Sequence, residues 1–313
     1  GPARSPGRQG SGTPVARTGG ARTERRSGGG AAPGSGRAGG DGRHRTGGVR
    51  RHGLGGDQVE GRRAVRELLA AGRRPVHEVW MAEDLEPSPL LDDIERLARR
   101  RHARLFVVGR RRIESESRTD APQGVLARAA PLVESDLDDL GAGRGQVAPF
   151  LVVFDGVTDP HNLGSLLRSA ECAGVTGVAV PRHRAAHITP TVTKVAAGAV
   201  EHLAMAVVPG VPAALQRLEK AGITTVGLDA TAALSLFTLG LSGGGPAVDL
   251  TAPVALVIGA EGKGLAPLTR RRCDVLVSIP QAGTIESLNV AAAGAVAFFE
   301  VARARAAVPT SPD

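Results

Sequence analysis

The chain has 313 residues, 42% of them hydrophobic, with a formal net charge of +8 and only two cysteines. Two cysteines and no CxxC pair exclude a disulfide framework and argue against a zinc site. No apolar run of about 18 residues is present to cross a membrane, and no signal-peptide pattern is visible, so a cytosolic protein is expected.

The charge is uneven along the chain. Residues 1–53 carry eleven arginines and two acids, a balance of +9, which leaves −1 for everything after them. This stretch is rich in Gly and Arg and almost free of large apolar residues, so it is expected to be a disordered basic tail. It reads either as a sequence-independent phosphate-binding arm or as a solvated leader.

Order is expected from Leu54 onward. Asp57 is placed to cap a helix whose inner face is Val59, Val65, Leu68 and Leu69, with Gly72 closing it. Residues 76–81 read as a strand, Ser88-Pro89 opens a helix with Leu91, Ile94, Leu97 and Ala98 at helical spacing, and 104–108 and 123–129 read as strands around a short helical piece. This alternation predicts a small α/β domain over 54–130, followed by a linker over 131–147. The second domain, 148–313, alternates again. Strands are expected at 150–155, 177–181, 205–208, 223–229, 253–259 and 274–280, and helices at 162–173, 190–203, 212–221 and 287–306. Continuous apolar runs such as Leu151–Phe154 and Val254–Ile258 suit strands buried on both faces of a parallel sheet. Ligands of such sheets bind beyond the carboxyl ends of the strands, which directs attention to three loops.

The first runs from Asp155 to Gly164 into a helix carrying Asn162, Ser165, Arg168 and Ser169 on one face, with Asn162 at the expected N-cap. The second, Gly259 to Leu265, has three glycines and an acid, Glu261, that a turn does not require; it is neither a Walker loop nor GxGxxG. The third, Ile279 to Asn289, leads into a run of small residues through Val296, which suits close backbone packing; Ser287 or Glu286 is placed to cap that helix, and Asn289 is a poor helix former unless its amide has a partner. His183 and His187 lack a third ligand at metal spacing, so no metal is expected. Cys172 and Cys273 read as small buried hydrophobes rather than nucleophiles.

The segments FDGVTDPHNLGSLLRSAECAGV, LVIGAEGKGLAPLTRRRCDVLVSIP and GTIESLNVAAAGAVAFFE, in that order and spacing, resemble the three motifs of the SpoU (TrmH) family of RNA ribose 2′-O-methyltransferases. EGRRAVRELL and APQGVLARA resemble the amino-terminal RNA-binding domain of bacterial members that methylate a guanosine ribose of the large ribosomal RNA. The resemblance spans about residues 56–306. It implies a SPOUT-type α/β fold, a parallel-sheet methyltransferase domain tied in a trefoil knot, working as a homodimer with the methyl-donor pocket near the dimer interface. It implies catalytic roles for Asn162, Arg168, Glu261, Ser287 and Asn289, and S-adenosylmethionine bound largely by backbone at Gly259, Ile279 and Leu288. Ala291-Ala292 stand where the family often has a Ser-Val pair.

The implied reaction gives a neutral leaving group, so the difficulty lies in the weakly acidic ribose hydroxyl. A guanidinium is hard to deprotonate, so Arg168 is expected to stabilise developing alkoxide charge, with a substrate phosphate as proton acceptor. Asn162 and Asn289 would orient Arg168 or the ribose, and Glu261 would pair a cation or hold its loop. With one Trp, no Tyr and six Phe, RNA recognition should lean on shape and phosphate contacts. A guanosine of 23S rRNA is the expected target; the motifs report chemistry rather than target, so a transfer-RNA or antibiotic-target ribosomal-RNA methyltransferase is the alternative. A catalytically silent RNA-binding or ribosome-assembly factor is the non-enzyme alternative, which the intact polar residues disfavour.

Overall fold

The computed structural model describes residues 53–143, 145, 147–183, 187–239, 248–285 and 287–307; the expected tail, apart from Gly53, lies outside them. The first sheet contains β1 (Gln58–Glu60), β2 (Val76–Ala82), β3 (Arg104–Val108) and β4 (Val125–Ala129) in the order β1-β4-β2-β3. Only the β2–β3 pair is parallel. Helices α1 (Arg62–Ala71) and α2 (Pro89–Arg100) cover one face through Val65, Leu68, Leu69, Leu91, Ile94 and Leu97. Helix α3 (Arg110–Glu116) covers the other, with Ile113 against Trp80 and Leu126. The helix expected from Asp57 begins later. Val59 lies in β1, Gly61 is the N-cap of α1, and Gly72 closes it in the left-handed conformation at φ 59°.

The stretch read as a linker contains α4 (Leu137–Ala142), whose Leu137 and Leu140 are buried against the second sheet. That sheet has six strands, all parallel: β5 (Phe150–Asp155), β6 (Gly177–Pro181), β7 (Met205–Val208), β8 (Thr224–Leu228), β9 (Val254–Gly259) and β10 (Val275–Val277). Their order is β10-β8-β9-β5-β6-β7. On one face lie α5 (Pro160–Cys172), α6 (Pro190–Val195) and α9 (Val290–Ala306); on the other lie α4, α7 (Val211–Lys220) and α8 (Pro267–Arg272).

Strand β5 shows why its run is apolar throughout. Phe150, Val152 and Phe154 pack with Leu163, Leu166 and Leu167 of α5 and Phe298 of α9, while Leu151 and Val153 point to α4 and α7. Each of these fully buried large side chains contributes roughly 1.5–3 kcal/mol. Helix α9 comes close to α5 because Gly294 lacks a side chain: a Cβ there would lie 2.2 Å from Leu166 Cδ2.

The helix expected over 190–203 is broken. It stops at Val195, and Ala197 and Gly198 turn through φ 51° and 88° before a short 3-10 turn, Ala199–Glu201. A Cβ on Gly198 would meet Glu67 Cβ of α1 at 2.5 Å, so the break lies where this segment packs tightly against the small lobe.

The two lobes are joined by buried polar contacts. Arg74 and Glu201 form an ion pair at 2.6 Å with side chains only 2% and 1% exposed. Arg74 also donates to the carbonyls of Gly56 and Ala130, and Gly56 N–H donates to Ile188 O at 2.9 Å. Among the described residues no helix is long and apolar enough to cross a membrane.

Candidate active site

A cavity of about 180 Å³ opens at the carboxyl ends of β8, β9 and β10. Gly259, Ile279 and Leu288 all line it, together with Leu228, Ile258, Glu261, Ser287 and Val290. Gly259 cannot be any other residue in this backbone, because a Cβ would lie 2.2 Å from Gly264 C and 2.5 Å from Leu265 N. The chain doubles back tightly there: Ala260 and Gly264 exchange N–H to carbonyl hydrogen bonds at 2.9 Å each, and Gly262 sits at φ 72°.

Three of the expected polar residues form one chain of amides and carboxylate. Asn289 Nδ2 donates to Asn162 Oδ1 at 3.0 Å, and Asn162 Nδ2 donates to Glu261 Oε2 at 2.9 Å. This joins all three loops through side chains, although Asn162 lies 99 positions from Glu261 and 127 from Asn289. Glu261 is thereby tied to Asn162, and among the described residues it has no cationic partner.

Both caps differ from expectation. Asp159 caps α5, its Oδ2 accepting from Asn162 N at 2.9 Å, which frees the Asn162 amide to bridge. Helix α9 starts at Val290, not at Ser287, and Asn289 is its cap: Oδ1 accepts from Ala291 N at 2.8 Å and Ala292 N at 3.3 Å. The poor helix former is thus outside the helix, with every side-chain atom employed. Ser287 is exposed at the cavity wall.

The structure does not bring Arg168 to this cluster. It is exposed on α5 and lines a groove against the small lobe with Arg62, Arg63 and Lys194. A wider cleft of about 740 Å³ adjoins the cavity at the ends of β5, β6 and β7, sharing Ala260, Glu261 and Val290 with it and adding Asn162, Asp155, Asp159 and His183. Asp155 is committed there, its Oδ2 accepting from Ala266 N at 2.8 Å.

Sequence reasoning misses Asp229, which lines the cavity just past β8. It pairs with Arg270 and accepts from Thr231 N at 2.8 Å and Thr231 Oγ1 at 2.7 Å. Burial raises its pKa, but these bonds outweigh burial and hold the carboxyl below its ordinary value. Its one available signal was position, an acid closing an apolar strand run. Cys172 is exposed rather than buried. The Cys273 thiol is pushed up to about 12 by burial and by the nearby Asp274 and Asp155, so it is no nucleophile. Among the described residues no group of three or more His, Cys, Asp and Glu could hold a metal ion.

Residues 149–299 match the SpoU rRNA Methylase family, and residues 58–134 match the RNA 2′-O ribose methyltransferase substrate-binding family. The 23S rRNA (guanosine-2′-O-)-methyltransferase RlmB of Shewanella oneidensis is 37% identical over 252 residues, covering 80% of this chain and 98% of that protein. The protein of the same name from Haemophilus ducreyi is 38% identical over 254 residues, covering 79% and 97%. Among solved structures, the SpoU methyltransferase AviRb from Streptomyces viridochromogenes in complex with the cofactor AdoMet superposes with a TM-score of 0.64 at 25% identity, covering 80% of this chain and 91% of that one.

Proposed function

The chain belongs to the SpoU rRNA methylase family, and on that premise we propose that it methylates a ribose 2′-hydroxyl of RNA with S-adenosylmethionine as donor, its target a guanosine of 23S rRNA in the cytoplasm. The observation that carries this reading is the cavity that gathers Gly259, Ile279 and Leu288 beside the Asn289–Asn162–Glu261 chain. The lining suits a nucleoside: Leu228, Ile258, Ile279 and Leu288 form an apolar slot, and the bare backbone at Gly259 permits close approach. When bound there, S-adenosylmethionine supplies an activated methyl group on a sulfonium that departs as a neutral thioether.

The chain's own residues then do the positioning. Gly259, Ile279 and Leu288 hold the nucleoside. Asn162 and Asn289, held rigid by their mutual bond, orient the ribose, and Ser287 borders its approach. Arg168 stabilises charge developing on the 2′-oxygen. Because Arg168 does not line this cavity, we place its action on the cavity of a second copy, in a homodimer. Exposed Leu288, Val296 and Phe299, before and along α9, supply an apolar face for that contact.

The same reading extends to topology. Strand β9 lies between β8 and β5, β10 lies outside β8, and α9 returns to pack on α5, an order compatible with a chain end threaded into a trefoil knot. Residues 54–130 are assigned to RNA binding, 131–147 to a connector, 148–313 to methyl transfer, and the basic tail to phosphate attraction.

Single-turnover transfer of labelled methyl to 23S rRNA fragments, followed by mapping of 2′-O-methyl positions, tests the reading. One labelled guanosine ribose is expected. Label in transfer RNA alone would favour the transfer-RNA alternative, and donor and RNA binding without transfer would favour the silent RNA-binding protein.

A further inference from the structure

We propose that the groove between the lobes seats a run of the substrate RNA's phosphates, with Arg63 and Lys194 as its positioning cations. The inference rests on the reading of this protein as an RNA methyltransferase and assigns the substrate's backbone a track.

The groove, of about 590 Å³, lies at the start of α1. Arg62, Arg63 and Gln123 line it from the small lobe, with Arg110 beside them, and Arg168 and Lys194 face them from α5 and α6. Among the described residues Arg63, Arg168 and Lys194 make no ion pair. Arg62 donates only to Gln123, from its backbone N–H to Oε1 at 3.1 Å and from Nε to the carbonyl at 3.2 Å, and Arg110 pairs with Asp84 at 2.7 Å. The one acid in the lining, Glu60, is fully buried and accepts from the neutral donors Gln58, Ser117, Arg118 N and Thr119, so its single charge stands against five cations in the lining.

Two arginines in the first turn of α1 also oppose the positive end of that helix. This concentration of like charge is unfavourable by itself and is relieved by a bound anion. Gln123 at φ 57° and Ala197 at φ 51°, two of the three non-glycine residues with positive φ among those described, both line the groove.

The track has an end. Past Arg168 the groove continues for about 600 Å³, but there Glu67, Asp93 and Glu171 stand beside Arg63, Arg66 and Arg168, so the positive excess is lost. The cationic half is therefore confined between the start of α1 and Arg168. The buried Arg74–Glu201 pair fixes how far apart the two walls stand. Spaced guanidinium and ammonium groups on facing walls, with Ala64, Leu90 and Ala197 as the apolar lining between them, match a phosphodiester backbone better than an acidic protein segment.

The test is the double substitution Arg63→Ala/Lys194→Ala in the full chain, with Arg99→Ala/Arg100→Ala on the exposed face of α2 as a charge-matched control. RNA binding is measured across salt concentrations, methyl transfer across RNA concentrations, and S-adenosylmethionine binding by calorimetry. Loss of two phosphate contacts should lower the salt slope by about 1.4 to 1.8 and raise KM for RNA by about tenfold or more. The loss should fall on KM rather than kcat, and donor affinity should hold. An unchanged slope and KM, or an equal fall in the control, overturns the proposal. So does loss of polyglutamate binding with RNA binding intact, which would assign the groove to an acidic protein. If the parent protein transfers no methyl group to any RNA, the functional reading fails, while the salt slope still decides the groove.

Discussion

Asn289 performs two tasks with one amide, and the tasks can be separated. Its oxygen caps α9 and its nitrogen reaches Asn162. Asn289→Asp keeps an acceptor at the cap, where a negative charge also suits the helix end, but removes the donor to Asn162. Its thermal unfolding should stay close to that of the parent, while single-turnover methyl transfer should fall by at least about tenfold, since the ribose loses its fixed partner. Asn289→Ala should lose activity and also about 1 kcal/mol of stability. Equal activity in the aspartate variant would remove the Asn162 bond from the mechanism and leave Asn289 as a cap only.

At the scale of elements, Glu60 ties the end of β1 to the loop after α3. Burial alone would raise its pKa, but hydrogen bonds from Arg118 N–H, Ser117, Thr119 and Gln58 outweigh that and hold it below the ordinary value. A carboxyl lowered on folding stabilises the protein above its unfolded pKa, and the benefit is lost as pH falls through its folded value. Glu60→Gln should therefore cost roughly 1–3 kcal/mol at neutral pH, with the gap to the parent closing in acid, as read by urea unfolding over a pH series. A constant gap would show that shape rather than charge matters there. The elements also mark what sequence could reveal. The apolar runs of β5 and β9 were legible because both faces of those strands are covered. Strand β1, three residues long, is too short to show alternation, and Val59 falls in series with the apolar face of α1. The break after α6 coincides with the close approach of α1 to Gly198, a contact between segments far apart in sequence. The cavity residues were legible through their three motifs, whereas motif spacing placed Arg168 on a helix face without saying which lobe that face meets.

At the scale of the whole molecule, a homodimer in which Arg168 serves the partner's cavity has a direct consequence. Arg168→Ala should lose at least about a hundredfold in turnover, and Arg168→Lys should recover little, because a point charge lacks the planar fork. Mixing inactive Arg168→Ala with inactive Asn289→Ala and allowing subunits to exchange should restore about a quarter of the parent rate, since half the dimers then hold one intact site. No recovery under verified exchange would confine Arg168 to its own protomer. The order of the large sheet bears on a different matter, the timing of assembly. Phe150 pairs with Val254, and the cavity is walled by residues from Leu228 to Ala293. Pairings so distant along the chain close slowly, and the walls follow the small lobe in order of synthesis. The amino-terminal lobe is synthesised, and has all four strands of its own sheet, well before any methyl-donor pocket exists. The small lobe can thus close its own sheet while the walls of the cavity are still to be synthesised.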